Sequence, residues 1–425
     1  MRPVIHADRV FVLAGLALVL FGLSSRVVKR YALSPILLAL AAGVVVGPHA
    51  LDLLDPASVV VRGKLLEQLT RVALSLSVFD IALRTRPDDL RADRRRLVVL
   101  LVVVMPAMWL VTSVGASLLV GLPASAALIL GATLTPTDPG VASALVTGVT
   151  PNRSLPRRVR MSLQVEAGAN DGLALPFVLL AGLWATADGG QVLGEWAVEA
   201  GREIGIAVVV GAAVGYGLRL LTDVAGVERL AEEDWFPLAS TGVALTVLGL
   251  AHLLGGSGIF AAFVAGLFFS EGLPEDLREP IHTVHRSVTK VALTVVFLAF
   301  GTVLPVDEWW PVLGVGGVAF ALWTFVVRRL PVAFPALVVT GTGPVSAAFI
   351  GWSGPLGAAA IYYLAYVERY AVADAERIFV AGSLAVAASV LGHAITSMAA
   401  VRAYRRATGQ EAPEGEHLEL EGPLP

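Results

Sequence analysis

The sequence predicts an all-α polytopic membrane protein with about thirteen transmembrane helices, and three observations predict it. Of 425 residues, 56% are hydrophobic and only 15% are charged. With a mean hydropathy of +0.76, the chain lacks the polar material to coat a soluble globule of its size. Apolar tracts long enough to cross a bilayer recur from end to end, joined by short polar segments. The 43 glycines and 24 prolines lie largely inside those tracts, which favours close helix packing and interrupted helices over disorder. Cysteine is absent, so disulfides, thiol chemistry and Cys-ligated metal are excluded. No dinucleotide fingerprint or Walker loop is present, so neither a nucleotide-driven pump nor a nucleotide partner is expected. A net charge of -3 gives no reason to expect a nucleic-acid partner.

The expected spans are 10–23, 33–47, 65–83, 97–119, 124–148, 159–186, 198–220, 236–251, 256–270, 287–304, 309–339, 344–366 and 377–400. The first has no small-residue cleavage signal after it and reads as a retained span. The eighth and ninth divide at "GGSG". With this count the loops alternate sides, and 20 Lys and Arg fall on one side against 5 on the other. That bias puts the amino end outside and the carboxyl end in the cytoplasm. Residues 1–403 form one transmembrane domain, and 404–425 a short acidic tail expected to be disordered.

Energy for any uphill movement must then come from an ion gradient, which turns attention to ionisable groups inside the membrane. In "GATLTPTDPG", Asp138 stands between Pro136 and Pro139, which both disturb helical bonding, so the backbone is expected to unwind near mid-depth. Thr133, Thr135 and Thr137 add oxygens that an ion or the freed backbone can use. The plainer reading is a Pro-kinked helix whose Asp138 caps the following half. In "SLQVEAGANDGLALPF", Glu166 and Asn170 share a helix face, while Asp171 is displaced by about 100°. A carboxylate facing a water-filled cavity takes either a proton or a small alkali cation, and competition for one such group couples two cation fluxes. The alternative is a buried hydrogen-bonding cluster, the stronger reading for Glu166. Arg328 and Arg329 in "WTFVVRRLPVAF" either anchor at the surface or send one guanidinium into the bundle, where Arg328 would pair with Glu166. Asp80 either approaches the interface near Arg84 or extends the cavity. "GWSGPLGAAAIYY" carries a second interruption at Gly354, Pro355 and Gly357, and matched breaks in two halves are a mark of inverted-repeat transporters.

"TPTDPG" followed by "EAGANDGLALPF" resembles the bacterial NhaP-type sodium/proton antiporters of the monovalent cation/proton antiporter superfamily, whose usual forms are TDP and ESGxND. "SPILLALAAGVVVGP", "FDIAL", the Arg328 region, "GWSGPLGAAAIYY" and "SVLGHAIT" fall in family order, so the resemblance covers nearly the whole chain. It implies an NhaA-like fold of inverted repeats with two crossing discontinuous helices, divided into core and dimerisation parts. It implies a homodimer in the bacterial cytoplasmic membrane, among lipid, with no cofactor and no enzymatic activity. Asp171 is implied as the carboxylate that binds the transported alkali cation or the proton, with Asn170 in place of the second aspartate of electrogenic relatives. Thr137 and Asp138 fall on the unwound segment, Asp80 where relatives carry a glutamate near the ion, and Glu166 with Arg328 on the stabilising pair. The implied activity is electroneutral Na+/H+ exchange by alternating access; the alternatives are K+/H+ exchange, another ion-coupled solute carrier or a passive cation channel. Three departures stand out: Ala167 for a ligating serine, Asp80 for glutamate, and Leu356 for an arginine in the second break.

Overall fold

The computed structural model describes residues 34–53, 64–138, 155–186, 192–225, 235–273, 275–367 and 374–409, with scattered helical positions between 12 and 23. All regular structure among them is helical. Helix α1 (Pro35–Val46) starts on a proline at its first position with Ser34 as cap, whose hydroxyl accepts the Leu37 N–H. Then follow α2 (Lys64–Arg84), α3 (Pro87–Val120), α4 (Ala124–Thr133), α5 (Arg157–Leu173) and α6 (Leu175–Thr186). The second half contains α7 (Val192–Ala225), α8 (Trp235–Leu253), α9 (Gly258–Ser270), α10 (Glu275–Val303), α11 (Val306–Val339), α12 (Pro344–Trp352), α13 (Ala358–Tyr366) and α14 (Ala375–Thr408).

Helix α9 is apolar all round and almost wholly buried, so it forms the centre of one half of the bundle, packed against α2, α7 and α8. Helices α1 and α10 approach at Gly43 and Gly301, where an added Cβ on either glycine would strike the opposite backbone. Among the described residues six helices are long and apolar enough to cross a membrane, and α1, α4, 237–253 of α8 and α9 are shorter apolar helices. The chain is therefore a multi-pass membrane protein.

Several helices outrun their expected spans. Helix α3 begins at Pro87, ten residues ahead of the apolar limit at 97, because "PDDLRADRRR" continues the helix with Asp88 and Asp89 in its first turn. The expected division at "GGSG" falls between α8 and α9, with Ser257 capping α9 through the Phe260 N–H. The span expected over 124–148 is helical only to Thr133; residues 135–138 have no regular secondary structure, and Pro139 with 140–154 lies outside the described residues. The span expected over 344–366 is two helices separated by residues 353–357.

Candidate ion site

The non-helical residues after α4 and the break between α12 and α13 meet. The Asp138 N–H donates to the Pro355 carbonyl at 2.8 Å, and Asp138 Oδ2 lies 3.4 Å from the Ala358 amide at the start of α13. A carboxylate at a helix N-terminus faces the positive end of the dipole and its free N–H groups. Asp138 thus caps a helix far along the chain; the segment that follows it lies outside the described residues. Gly357 is required at this approach, since a Cβ there would collide with the Asp138 side chain.

Arg328 serves the opposite ends. Its Nη1 donates to the carbonyls of Leu134 at 2.6 Å and Thr135 at 3.4 Å, and its Nη2 donates to the Gly354 carbonyl. These oxygens lie just past the C-termini of α4 and α12, where helical acceptors run out of donors and the dipole is negative. Both terminal nitrogens of this guanidinium, on a residue 1% exposed, are thus held by carbonyls rather than by a carboxylate.

The expected Glu166–Arg328 pair is therefore corrected: Glu166 pairs with Arg329. Arg329 Nη1 reaches Oε1 at 2.6 Å and Nη2 reaches Oε2 at 2.8 Å, a bidentate fork, and the two residues are 4% and 2% exposed. The reason is a local break in α11. The wide turn over Trp323–Val327 closes with the Arg328 N–H on the Trp323 carbonyl, and Arg329 then departs to φ −117 before Pro331. Neighbouring guanidinia are thereby sent to different partners, and both are buried; neither anchors at the surface. Arg329 also donates to the Ile350 carbonyl, tying Glu166 on α5 to α12.

Helix α5 brings the remaining residues to the first break. Asn170 Nδ2 donates to Thr137 Oγ1 at 2.9 Å, and Asn170 Oδ1 accepts the Thr137 N–H at 3.3 Å. Asp171, next in sequence, is 4% exposed, and its Oδ1 has no hydrogen-bond partner among the described residues. Asp171 follows Asn170 and Asp138 follows Thr137, so the Asn170–Thr137 contacts bring the two carboxylates to the same region. The Asp171 backbone is fixed from the other side by the Tyr363 hydroxyl, which donates to its carbonyl at 2.6 Å. Asn170, Asp171, Thr137 and Asp138 are thus gathered at one place, between half-helix ends.

Asp80 stands in a second cluster. Arg84 Nε donates to its Oδ1 at 3.2 Å and Arg84 Nη2 to its Oδ2, while His282 Nδ1 on α10 lies 3.5 Å away. The i, i+4 spacing that suggested an approach to the interface is the spacing that makes this pair. Tyr363, Ser389 and His393 were not singled out from the sequence, although Tyr363 lies in the stretch quoted above for its interruption and Ser389 and His393 lie in "SVLGHAIT", quoted for its place in the family order. A polar residue in each of those stretches was the available signal.

The transmembrane model of the sodium/hydrogen exchanger family matches residues 15–402. A Na(+)/H(+) antiporter of Schizosaccharomyces pombe is 28% identical over 359 residues, covering 82% of this chain and 76% of that protein. The K(+)/H(+) antiporter NhaP2 of Shewanella oneidensis is 28% identical over 339 residues, covering 78% of this chain and 57% of its own length. Na(+)/H(+) antiporter 2 of Zygosaccharomyces rouxii is matched over only 41% of its length, so the chain spans well under the full extent of some relatives. The solved sodium proton antiporter MjNhaP1 from Methanocaldococcus jannaschii superposes with a TM-score of 0.72 over 93% of this chain and 98% of its own, at 18% identity, which shows the same fold. Since the family match takes in most of the sequence, the chain belongs to the sodium/hydrogen exchangers, a family of membrane transporters rather than enzymes.

Proposed function

We propose that this protein exchanges one monovalent cation for one proton across the bacterial cytoplasmic membrane by alternating access, without net charge movement. The observation that carries the proposal is Asp171: a carboxylate buried between helix ends, with one oxygen left without a partner among the described residues. A lone oxygen of this kind is an expensive feature unless something transient occupies it. A proton and an alkali cation are both suited to it and exclude one another by charge, so each transit carries one or the other. Asn170 cannot titrate and serves by holding Thr137 in place. Asp138 and Arg328, at opposite helix ends, keep fixed charges through the cycle.

Sodium is the cation we favour, with potassium the second reading, because the similar proteins named above include antiporters for each. Ala167 offers no oxygen where the NhaP-type pattern has serine, and ligand number is what separates ions of different size. Asp80, engaged with Arg84 and His282, is the candidate for a second proton and hence the place where one-for-one exchange would fail. The wider proposal is an NhaP-type fold of thirteen spans in inverted repeats, with the two breaks crossing. It includes interleaved core and dimerisation parts, a homodimer in lipid, and the amino end outside; the tail expected from 404 starts later, since α14 continues to Thr408 with Tyr404 buried. The direct test is purified protein in proteoliposomes holding a pH-sensitive dye. Adding Na+ or K+ outside should move protons in wild type and leave Asp171→Asn silent; equal signals from both would refute the assignment.

A further inference from the structure

Helix α14 lies along the second break and grips it at two points. Ser389 and His393 are four residues apart and share one face of the helix. They are 1% and 3% exposed. Ser389 Oγ accepts the Leu356 N–H at 2.9 Å, and His393 Nε2 lies 3.2 Å from the Trp352 carbonyl oxygen. Leu356 sits in the break, where its amide has no helical acceptor, and Trp352 closes α12.

The two side chains are also joined to each other, with His393 Nδ1 3.3 Å from Ser389 Oγ and 2.9 Å from the Ser389 carbonyl. A neutral imidazole carries one N–H. Placed on Nε2, that proton goes to the Trp352 carbonyl, the Ser389 hydroxyl donates to Nδ1, and the same hydroxyl oxygen accepts from Leu356. Either neutral tautomer leaves one ring lone pair facing a carbonyl oxygen, Nδ1 at Ser389 or Nε2 at Trp352; the proton is assigned to Nε2 because that arrangement also lets the Ser389 hydroxyl donate to Nδ1. The ring is wedged edge-on against Phe325, with centroids 4.9 Å apart, and beside Trp352 at 5.8 Å.

The segment held in this way is the one that seats the first break. Its Gly354 carbonyl takes Arg328, its Pro355 carbonyl takes the Asp138 N–H, and the Ala358 amide faces the Asp138 carboxylate. We infer that Ser389 and His393 are positioning residues of the ion site. They set the gap between α12 and α13 and so, through Pro355 and Asp138, the placing of the first break. Neither touches the ion. For its transport readout the inference rests on the antiport reading above.

The test compares four variants in proteoliposomes and by amide hydrogen exchange of the peptide containing Leu356. His393→Gln keeps an N–H donor at roughly the reach of Nε2, His393→Asn falls short of it, His393→Ala has none, and Ser389→Ala removes the acceptor for Leu356. The expected result is a half-saturating Na+ or K+ concentration raised about fivefold in the Ala and Asn variants, the order of one lost hydrogen bond, with His393→Gln within about twofold of wild type. Exchange at Leu356 should quicken about tenfold in Ser389→Ala and His393→Ala and recover in His393→Gln. If wild type exchanges, and the Ala variants lose thermal stability while half-saturation stays put, the residues only support packing and the inference falls. If wild type itself does not exchange, the antiport reading falls. In that case Leu356 still decides the positioning claim: an unchanged amide rate in both Ala variants overturns it, and a quickened one upholds it.

Discussion

Replacing Glu166 by Gln removes one half of a bidentate ion pair whose members are 2% and 4% exposed. The guanidinium of Arg329 would remain, held by the Ile350 carbonyl at 3.2 to 3.3 Å and facing Met108 Sδ at 3.7 Å, with no carboxylate to balance it. Stripping one partner from a buried pair costs about 3–5 kcal/mol, and the surviving carbonyl contacts and the Gln oxygen put this case near the lower end. Arg329→Gln should cost a similar amount by stranding Glu166. The double variant leaves no buried charge, so its loss should be about 2–3 kcal/mol, well short of the additive sum, giving a coupling of about 3 kcal/mol. Pairing Glu166→Gln with Arg328→Gln should give a smaller coupling, since the Arg328 guanidinium donates to the backbone carbonyls of Leu134, Thr135 and Gly354. Equilibrium unfolding in detergent, on the singles and both doubles, measures these terms. Additive losses for Glu166 and Arg329, or a larger coupling with Arg328, would refute the assignment of the pair.

Arg328→Lys should lower both stability and exchange, because one ammonium cannot reproduce the fork that reaches carbonyls on two segments; thermal melting and dye-monitored exchange on the same preparation check this. Tyr363→Phe removes only the hydroxyl on the Asp171 carbonyl, so it should cost about 1 kcal/mol of stability and raise the half-saturating cation concentration modestly; unchanged values in both would argue that this contact is idle. Gly357→Ala places a methyl against Asp138 and should impair exchange more than Gly314→Ala, which has open space at its Cβ, although Gly314 has φ 53 and will lose stability for that reason; equal exchange in the two would count against the close approach at 357.

The residues legible in the sequence were those whose chemistry conflicts with their surroundings. An aspartate between prolines in an apolar tract, and a Glu–Asn–Asp set on a helix of small residues, are costly in a membrane, so their presence alone marks them. What the sequence left open was direction. Arg328 and Arg329 are adjacent and chemically identical, and only the wide turn at Trp323–Val327 with the departure at Arg329 decides which one meets Glu166. Asp80 was equally ambiguous, because a partner one helical turn away at Arg84 and a histidine some two hundred residues on compete with the ion for the same oxygens. Helix limits erred at polar ends such as "PDDLRADRRR", where hydropathy marks the membrane slab and the helix continues beyond it. The role of α14 was hidden because its contacts to Trp352 and Leu356 are made to backbone atoms, which leave no pattern in side-chain types.

The central claim, one cation exchanged for one proton at Asp171, is tested most directly by voltage. Exchange would be followed in sealed proteoliposomes under an imposed membrane potential set by a permeant ion other than Na+ or K+, with Asp171→Asn in parallel. The account predicts that rate and end point follow the two chemical gradients and ignore the potential, and that the variant is silent. A rate and end point that track the voltage would contradict one-for-one exchange and point to a second proton carried at Asp80.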